Sequence, residues 1–205
     1  MASVGVELPM ADRVLVRKSE RRLYLMRGAD VLRAYRVALG LNPGGHKERS
    51  GDFRTPEGSY RLTRRNARSD FFLSIQVSYP NERDVQHARR NGWQPGGSIM
   101  IHGLPNDPRH GPAYYATQDW TDGRIGATNA AMDEIWMMTP DNVRIDIERW
   151  RPCPPGPRAR PLGRVHFSPQ TKVKVNEGIS WKPASSFRIS WTRASDPAAA
   201  SRTCR

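Results

Sequence analysis

The sequence has almost no cysteine and no long apolar run, and both absences narrow the class of protein. Its only two cysteines, Cys153 and Cys204, lie in the last quarter of the chain. Two such residues do not make a disulfide framework, and no CxxC motif or cysteine–histidine cluster predicts a zinc site. No stretch approaches the length of a membrane span. We therefore expect a domain stabilised by its apolar core, with no metal site and no membrane-spanning segment.

The N-terminus also lacks the features of an export signal. Residues 1–10 contain no basic region and no apolar segment of secretory type. They are interpreted as an N-terminal extension, and the sequence as it stands predicts no export, which leaves retention in the cytoplasm open.

Acidic residues are scarce in one part of the chain only. The formal net charge is +13, but residues 1–150 hold 22 Lys and Arg against 18 Asp and Glu, a net of +4. Residues 151–205 hold 11 against 2, a net of +9. No nucleic-acid-binding motif accompanies this charge. The excess therefore predicts no specific nucleic-acid groove on the folded part.

Short strands dominate the predicted secondary structure of residues 11–150. Partial period-two alternation predicts strands at 13–18 and 22–27, followed by a third at 31–39, arranged as two hairpins of one antiparallel sheet. Further strands are predicted at 59–63, 73–78, 98–102 and 143–147. Residues 40–58 and 103–119 are interpreted as Gly/Pro-rich loops, and a loop as long as the first is typically functional or disordered.

Few helices are expected. Residues 81–97 are polar and predicted to be helical in part, while Thr128 or Asn129 caps a helix that runs to about Met138. Beyond Trp150 the composition shifts to a proline-rich linker and a basic segment with few apolar residues. The chain is thus predicted to be a mainly β domain over residues 11–150, with residues 151–205 forming a basic, proline-rich tail that is poorly ordered or loosely docked.

The residues that carry chemical information lie between Ile99 and Asn129. His102 ends a short apolar strand, which on its own is more typical of a structural histidine than of a catalyst. The segment then continues through a glycine-containing loop, Thr121-Asp122-Gly123-Arg124-Ile125.

This segment resembles the L,D-transpeptidase (YkuD-type) catalytic domain family. The family signature is His-Gly, a loop, and then Ser/Thr-x-Gly-Cys followed by an aliphatic residue. A Gram-negative branch is similar over about 140 residues. Its motifs match the following segments: Gly45-His46-Lys47, Gly51-Asp52-Phe53-Arg54-Thr55-Pro56-Glu57-Gly58, Ile101-His102-Gly103-Leu104-Pro105-Asn106, and Asp119 through Ile135.

The resemblance implies a β-sandwich-type fold with its site in a cleft. It also implies acyl transfer on peptidoglycan stem peptides, without a cofactor, in the periplasm or cell envelope. A family cysteine thiolate attacks a stem carbonyl and forms a thioester that an amine or water then resolves. His102 matches the general base, and backbone N–H groups around Gly123 match the oxyanion loop. The resemblance places the following residues in the substrate-binding cleft: Gly103, Thr121, Asp122, Asn129 and Arg54.

Arg124 occupies the position of the family's nucleophilic cysteine. A guanidinium has no lone pair to offer and stays charged, so it cannot attack a carbonyl. Thr121 lacks the acidity of a thiol, and Cys153 would have to fold back from the linker, so neither is expected to substitute. The resemblance therefore implies impaired chemistry.

Three alternatives are left open. The first is a sequence artefact or decayed copy, and the second is a non-catalytic peptidoglycan-binding or regulatory module in which Arg124 pairs with a stem carboxylate. The third is an interaction protein whose basic tail binds an anionic polymer. The acceptor amine and the oligomeric state are not predicted.

Overall fold

The computed structural model describes residues 8–151. The predictions for the tail lie outside the described residues. Eight strands and three helices follow one another in this order: β1 (Arg13–Arg17), β2 (Arg22–Arg27), β3 (Asp30–Arg36), β4 (Gly58–Ser69), β5 (Phe72–Val77), α1 (Glu82–Arg90), β6 (Met100–His102), α2 (Pro112–Thr117), β7 (Ile125–Gly126), α3 (Asn129–Met138) and β8 (Arg144–Glu148). The mainly β prediction is confirmed.

The strands form one eight-stranded sheet in the order β3-β2-β1-β8-β4-β5-β6-β7. The two predicted hairpins are confirmed, because β2 pairs antiparallel with both β1 and β3. The sheet as a whole is mixed, since β8 runs parallel to β1 and β7 parallel to β6. The C-terminal strand β8 therefore lies inside the sheet, between β1 and β4.

Strand β4 links the two halves of the sheet. Its first residues, Gly58–Arg61, pair with β8, whereas Leu62 and the residues after it pair with β5. The register shifts twice along the pairing with β5, and such bulges bend and twist a strand. Two isolated bridges, Ala38 with Gly126 and Gly40 with Thr121, connect the chain after β3 to the segment around β7.

A single core fills the space between these elements. The alternating strands β1 and β2 bury Val14, Val16, Leu23 and Leu25 completely. Helix α3 adds a face of buried residues, Ala131, Met132, Ile135 and Met138. The Thr128 side chain accepts a hydrogen bond from Ala131 N–H and caps this helix, as one of the two predicted caps. None of the helices within residues 8–151 is long and apolar enough to cross a membrane.

Two predicted elements were wrong in extent or type. The strand predicted at residues 59–63 is the beginning of the twelve-residue strand β4. Its second half is mostly exposed and rich in arginine, so it lacks the apolar alternation that marks a strand. The predicted loop at residues 103–119 contains the short helix α2, which has Pro112 in its first turn and buries none of its residues. The helix therefore has no apolar stripe that a sequence pattern would reveal.

Candidate functional site

The position of His102 is fixed by strand pairing on both sides. Strand β6 places His102 opposite Ser74 of β5 and opposite Gly126 of β7. The following Gly103 donates its N–H to the carbonyl groups of Phe71 and Leu73, at 3.0 and 3.1 Å. The histidine therefore sits on a strand that is paired on both sides, which holds a site residue in place.

Hydrogen bonding also fixes the tautomer of His102. Its Nδ1 lies 2.7 Å from the Gly103 carbonyl oxygen. A carbonyl only accepts, so Nδ1 carries the hydrogen and Nε2 keeps its lone pair. Nε2 is buried and has no partner among the described residues. Burial lowers the pKa of His102 to about 4; the bond to Gly103 opposes this shift and the charge of Arg124 adds to it. The ring is a neutral base whose accepting atom is unused.

The loop from Thr121 to Arg124 is held by backbone contacts and by one hydroxyl. Thr121 exchanges hydrogen bonds with the chain after β3, because its N–H donates to Leu39 and its carbonyl accepts from Leu41, at 3.1 and 3.0 Å. The Thr121 hydroxyl donates to the Arg124 carbonyl at 2.7 Å and accepts the Gly123 N–H at 3.3 Å. Thr121 is thus a framework residue that closes the turn.

Gly123 is required by a close approach. Its φ is +109°, and a Cβ atom at this position would lie 2.5 Å from the Arg54 carbonyl oxygen. No residue other than glycine fits this contact without movement of the backbone. The Gly123 N–H is already bonded to Thr121. The oxyanion role of this loop therefore stays a prediction.

Arg124 is half-buried between two segments of the chain. Its Nε donates to the Ser98 carbonyl at 3.1 Å. The guanidinium carbon lies 5.7 Å from the centre of the Phe71 ring, within cation–π range. The charge of Arg124 also acts on His102, as one cause of its lowered pKa. The structure thus brings His102 and Arg124 into the same site.

A cleft of about 490 Å³ opens onto His102, Thr121, Asp122 and Arg124. Aromatic residues that the sequence did not single out as recognition elements form much of its wall: Phe71, Tyr114, Tyr115 and Trp120. The Trp120 ring lies edge-on to His102, with ring centres 5.4 Å apart, and its Nε1 is buried with no partner among the described residues. Trp120 therefore both packs against His102 and lines the site.

The remaining predicted cleft residues are Asn129, Gly103 and Arg54, and their contacts are with the protein itself. Asn129 accepts the Leu104 N–H at 2.8 Å and so holds the turn after His102. A Cβ atom at Gly103 would lie 2.7 Å from the Asn129 Oδ1. Arg54 does not line the cleft; its guanidinium pairs with Glu48 at 3.0 Å. Its carbonyl oxygen meets the site at Gly123, and a role of Arg54 in substrate binding stays a prediction.

His46 is engaged in a separate network. It accepts the Glu57 N–H at Nδ1 and lies 3.1 Å from Asp84 through Nε2. His110 lines the cleft beside Tyr114. Within residues 8–151, no group of three or more histidine, cysteine or acidic side chains is arranged to hold a metal ion.

Comparison with known proteins agrees with this architecture. Over 92 residues the chain is 34% identical to YafK of Escherichia coli strain K12, a protein named as an L,D-transpeptidase. The matched region covers 42% of this chain and 35% of YafK. The crystal structure of the helical cell shape determining protein Pgp2 from Campylobacter jejuni is similar with a TM-score of 0.51 at 25% identity, covering 68% of this chain and 48% of Pgp2. Its K307A mutant gives a TM-score of 0.52 at 24% identity, covering 70% and 49%.

The chain thus spans about half the length of Pgp2 and about a third of YafK. The family model of the L,D-transpeptidase catalytic domain, YkuD, matches residues 11–175, which is more than half of the chain. This chain belongs to the L,D-transpeptidase catalytic domain (YkuD) family.

Proposed function

We propose that this domain binds peptidoglycan stem peptides in the cleft at His102 and that its acyl-transfer chemistry is impaired. The observation that carries the proposal is the His102 side chain, whose unused Nε2 is buried at the cleft wall beside the loop that ends in Arg124. A general base needs an accepting atom next to the group it deprotonates. Here the base is present, while the residue at the end of the loop offers only donors.

The impairment follows from the chemistry of Arg124. Family chemistry requires a nucleophile that His102 can deprotonate, and a guanidinium cannot fill that role. Thr121, the hydroxyl residue closest to Arg124 in sequence, donates to the Arg124 carbonyl and is committed to the turn. In this proposal the chain retains the binding cleft and the base and lacks the attacking atom.

The test compares turnover of tetrapeptide muropeptides by this chain and by Arg124→Cys. We expect the substitution to raise acyl transfer or hydrolysis by roughly 10⁴-fold or more, since loss of a nucleophile costs factors of this order. Removal of the arginine charge also takes away one cause of the lowered His102 pKa, which makes the base stronger. Mass spectrometry should find the acyl group on position 124 and not on Cys153 or Cys204.

Arg124→Ser and the double variant Arg124→Cys/His102→Ala are the controls. The serine variant offers a poorer nucleophile in the same place, and the double variant offers a thiol without its base. Turnover by the unmodified chain at the level of Arg124→Cys would disprove the impairment.

A second candidate is a non-catalytic binding or regulatory module, and the environment of Arg124 favours it. Arg124 takes part in none of the salt bridges within residues 8–151. Its outer nitrogens are suited to a carboxylate of the stem. If muropeptides bind the unmodified chain, bind Arg124→Ala much more weakly, and are turned over by none of the variants, this second candidate replaces the first.

A further inference from the structure

Asp122 and Arg124 form a ridge between two cavities. One cavity is the cleft at His102. The other, of about 250 Å³, is lined by residues from the segments 47–53 and 96–99. Only Asp122 and Arg124 line both. A ligand that occupies both cavities must pass over these two side chains.

The Arg124 side chain contacts residues of both cavities. Its Nε is bonded to Ser98, which lines the second cavity, and its guanidinium lies against Phe71, which lines the first. Nε uses one of the five N–H donors of a guanidinium. The other four, on Nη1 and Nη2, make no hydrogen bond with the described residues.

Asp122 presents the opposite charge at the same ridge without neutralising Arg124. Its side chain is exposed. Like Arg124, it is absent from the salt bridges within residues 8–151. Two neighbouring charges of opposite sign that leave each other unpaired are suited to a ligand that carries both charges close together.

The backbone of the second cavity supplies an independent observation. Phe53 and Ser98 both line it, and both have φ of +56°. Residues other than glycine rarely adopt this conformation, and such strain is concentrated at ligand-binding and active sites. Phe53 is also an exposed large hydrophobic residue, 42% exposed. The second cavity therefore has the properties of a binding site in its own right.

The charges around the first cleft narrow the class of ligand. Asp70 and Asp107 line it together with Arg109, so both signs are interspersed along its wall. A polyanion or a polycation would meet repulsion somewhere along this path. A peptide with a side chain that carries an ammonium and a carboxylate side by side would not.

We infer that Asp122 and Arg124 bind the ammonium and the carboxylate of one α-amino-acid zwitterion, carried at the end of a side chain of a peptide that spans both cavities. The carboxylate accepts from Nη1 and Nη2 of Arg124, and the ammonium donates to Asp122. This inference rests on the proposed stem-peptide cleft and names the group that the cleft recognises.

The experiment is calorimetric titration of the full chain with three tetrapeptide stems. One carries a free α-amino-acid zwitterion, one is amidated at that carboxylate, and one is acetylated at that amine. We expect each blocked peptide to bind about tenfold more weakly than the free one, which is the usual effect of one charged hydrogen-bonding group. Arg124→Ala should abolish the difference between free and amidated peptide, and Asp122→Asn the difference between free and acetylated peptide.

Matched controls come from outside both cavities. Arg68→Ala and Asp133→Asn each remove an exposed charge that lines neither cavity, and both should keep the full discrimination among the three peptides. If the unmodified chain binds all three equally, the zwitterion inference is overturned and the stem-peptide proposal stands. If it binds none of them, both fail. Equal loss of discrimination in the control variants would show that overall charge, not the ridge, recognises the ligand.

Discussion

At the scale of single residues, the site depends on a histidine kept neutral by its surroundings. Two rings pack against the buried His102 side chain, since Phe71 and Trp120 lie 4.7 and 5.4 Å from it by ring centre. A charged imidazolium would lose its hydration there. The same burial that poises Nε2 as an acceptor therefore links the site to the stability of the fold.

This linkage predicts a pH dependence of stability. Burial lowers the pKa of His102 to about 4, while the unfolded imidazole has its usual value of about 6.5. Between these values the unfolded chain binds the extra proton, so the free energy of unfolding rises with pH through this window. The contribution of roughly 3 kcal/mol is complete above about pH 6.5 and is lost as the pH falls to 4.

Urea denaturation of the chain and of His102→Gln between pH 4.5 and 7 measures this effect. Carboxylates also titrate in this range, so the quantity of interest is the difference between the two pH slopes. We expect the glutamine variant to show the shallower rise. Parallel slopes would mean that the imidazole is not buried in solution as it is in the structure.

Sequence patterns identified His102 and the loop from Thr121 to Arg124, because both lie in contiguous motifs. They did not identify the aromatic wall. Phe71, Tyr115 and Trp120 come from three separate segments that only the tertiary fold brings together. The two adjacent pairs Phe71-Phe72 and Tyr114-Tyr115 were a usable signal, but nothing in the local sequence shows that one ring of the first pair and both rings of the second line the cleft.

At the scale of elements, the long loop between β3 and β4 is fixed by a buried lysine. Lys18 follows β1 and is completely buried. Its Nζ donates to the carbonyls of Gly45 and Thr55, at 2.6 and 2.8 Å, and to Glu57 at 2.9 Å. All three of its hydrogens thus have acceptors. The loop that places the Arg54 carbonyl against Gly123 is therefore anchored to the first strand.

Removal of this anchor should destabilise the fold strongly. Lys18→Met leaves the buried carboxylate of Glu57, whose side chain is 8% exposed, without its ion-pair partner. Removal of one partner of a buried ion pair costs about 3–5 kcal/mol. The double variant Lys18→Met/Glu57→Gln removes the stranded charge and should recover a large part of that loss. Chemical denaturation of both variants gives the comparison. If the single variant is as stable as the parent, the loop does not depend on this anchor.

The elements that were predicted well are those whose apolar pattern faces one core. Strand β2 (Arg22–Arg27) has the predicted ends, because its alternation and flanking turns are local. The second half of β4 was missed because a strand of exposed arginines is stabilised by pairing with β5, a contact distant in sequence. Helix α2 was missed because it exposes most of its surface and has no apolar stripe.

At the scale of the whole molecule, the change in net charge along the chain and the last described strand both lie near residue 150. Most of the net positive charge, +9 of +13, lies after residue 150, and the described core ends with β8, whose buried residues are Ile145 and Ile147. The family match nevertheless extends to residue 175. The predicted boundary near Trp150 and the end of the family match thus make different statements about where the stable domain ends.

Two truncations distinguish these statements. Because β8 is paired on both sides, with β1 and β4, and Trp150 N–H already donates to Glu57 at 2.9 Å, we expect a chain that ends at Arg151 to unfold within about 1 kcal/mol of the full chain, the usual range of peripheral changes. A chain that ends at Val175 is the matched control and should behave alike. If only the shorter chain loses about 2 kcal/mol or more, residues 152–175 contribute to the domain, and the boundary near Trp150 is wrong. In that case stem-peptide titrations require the longer chain, because a domain without its stabilising segment opens locally at the binding loops first.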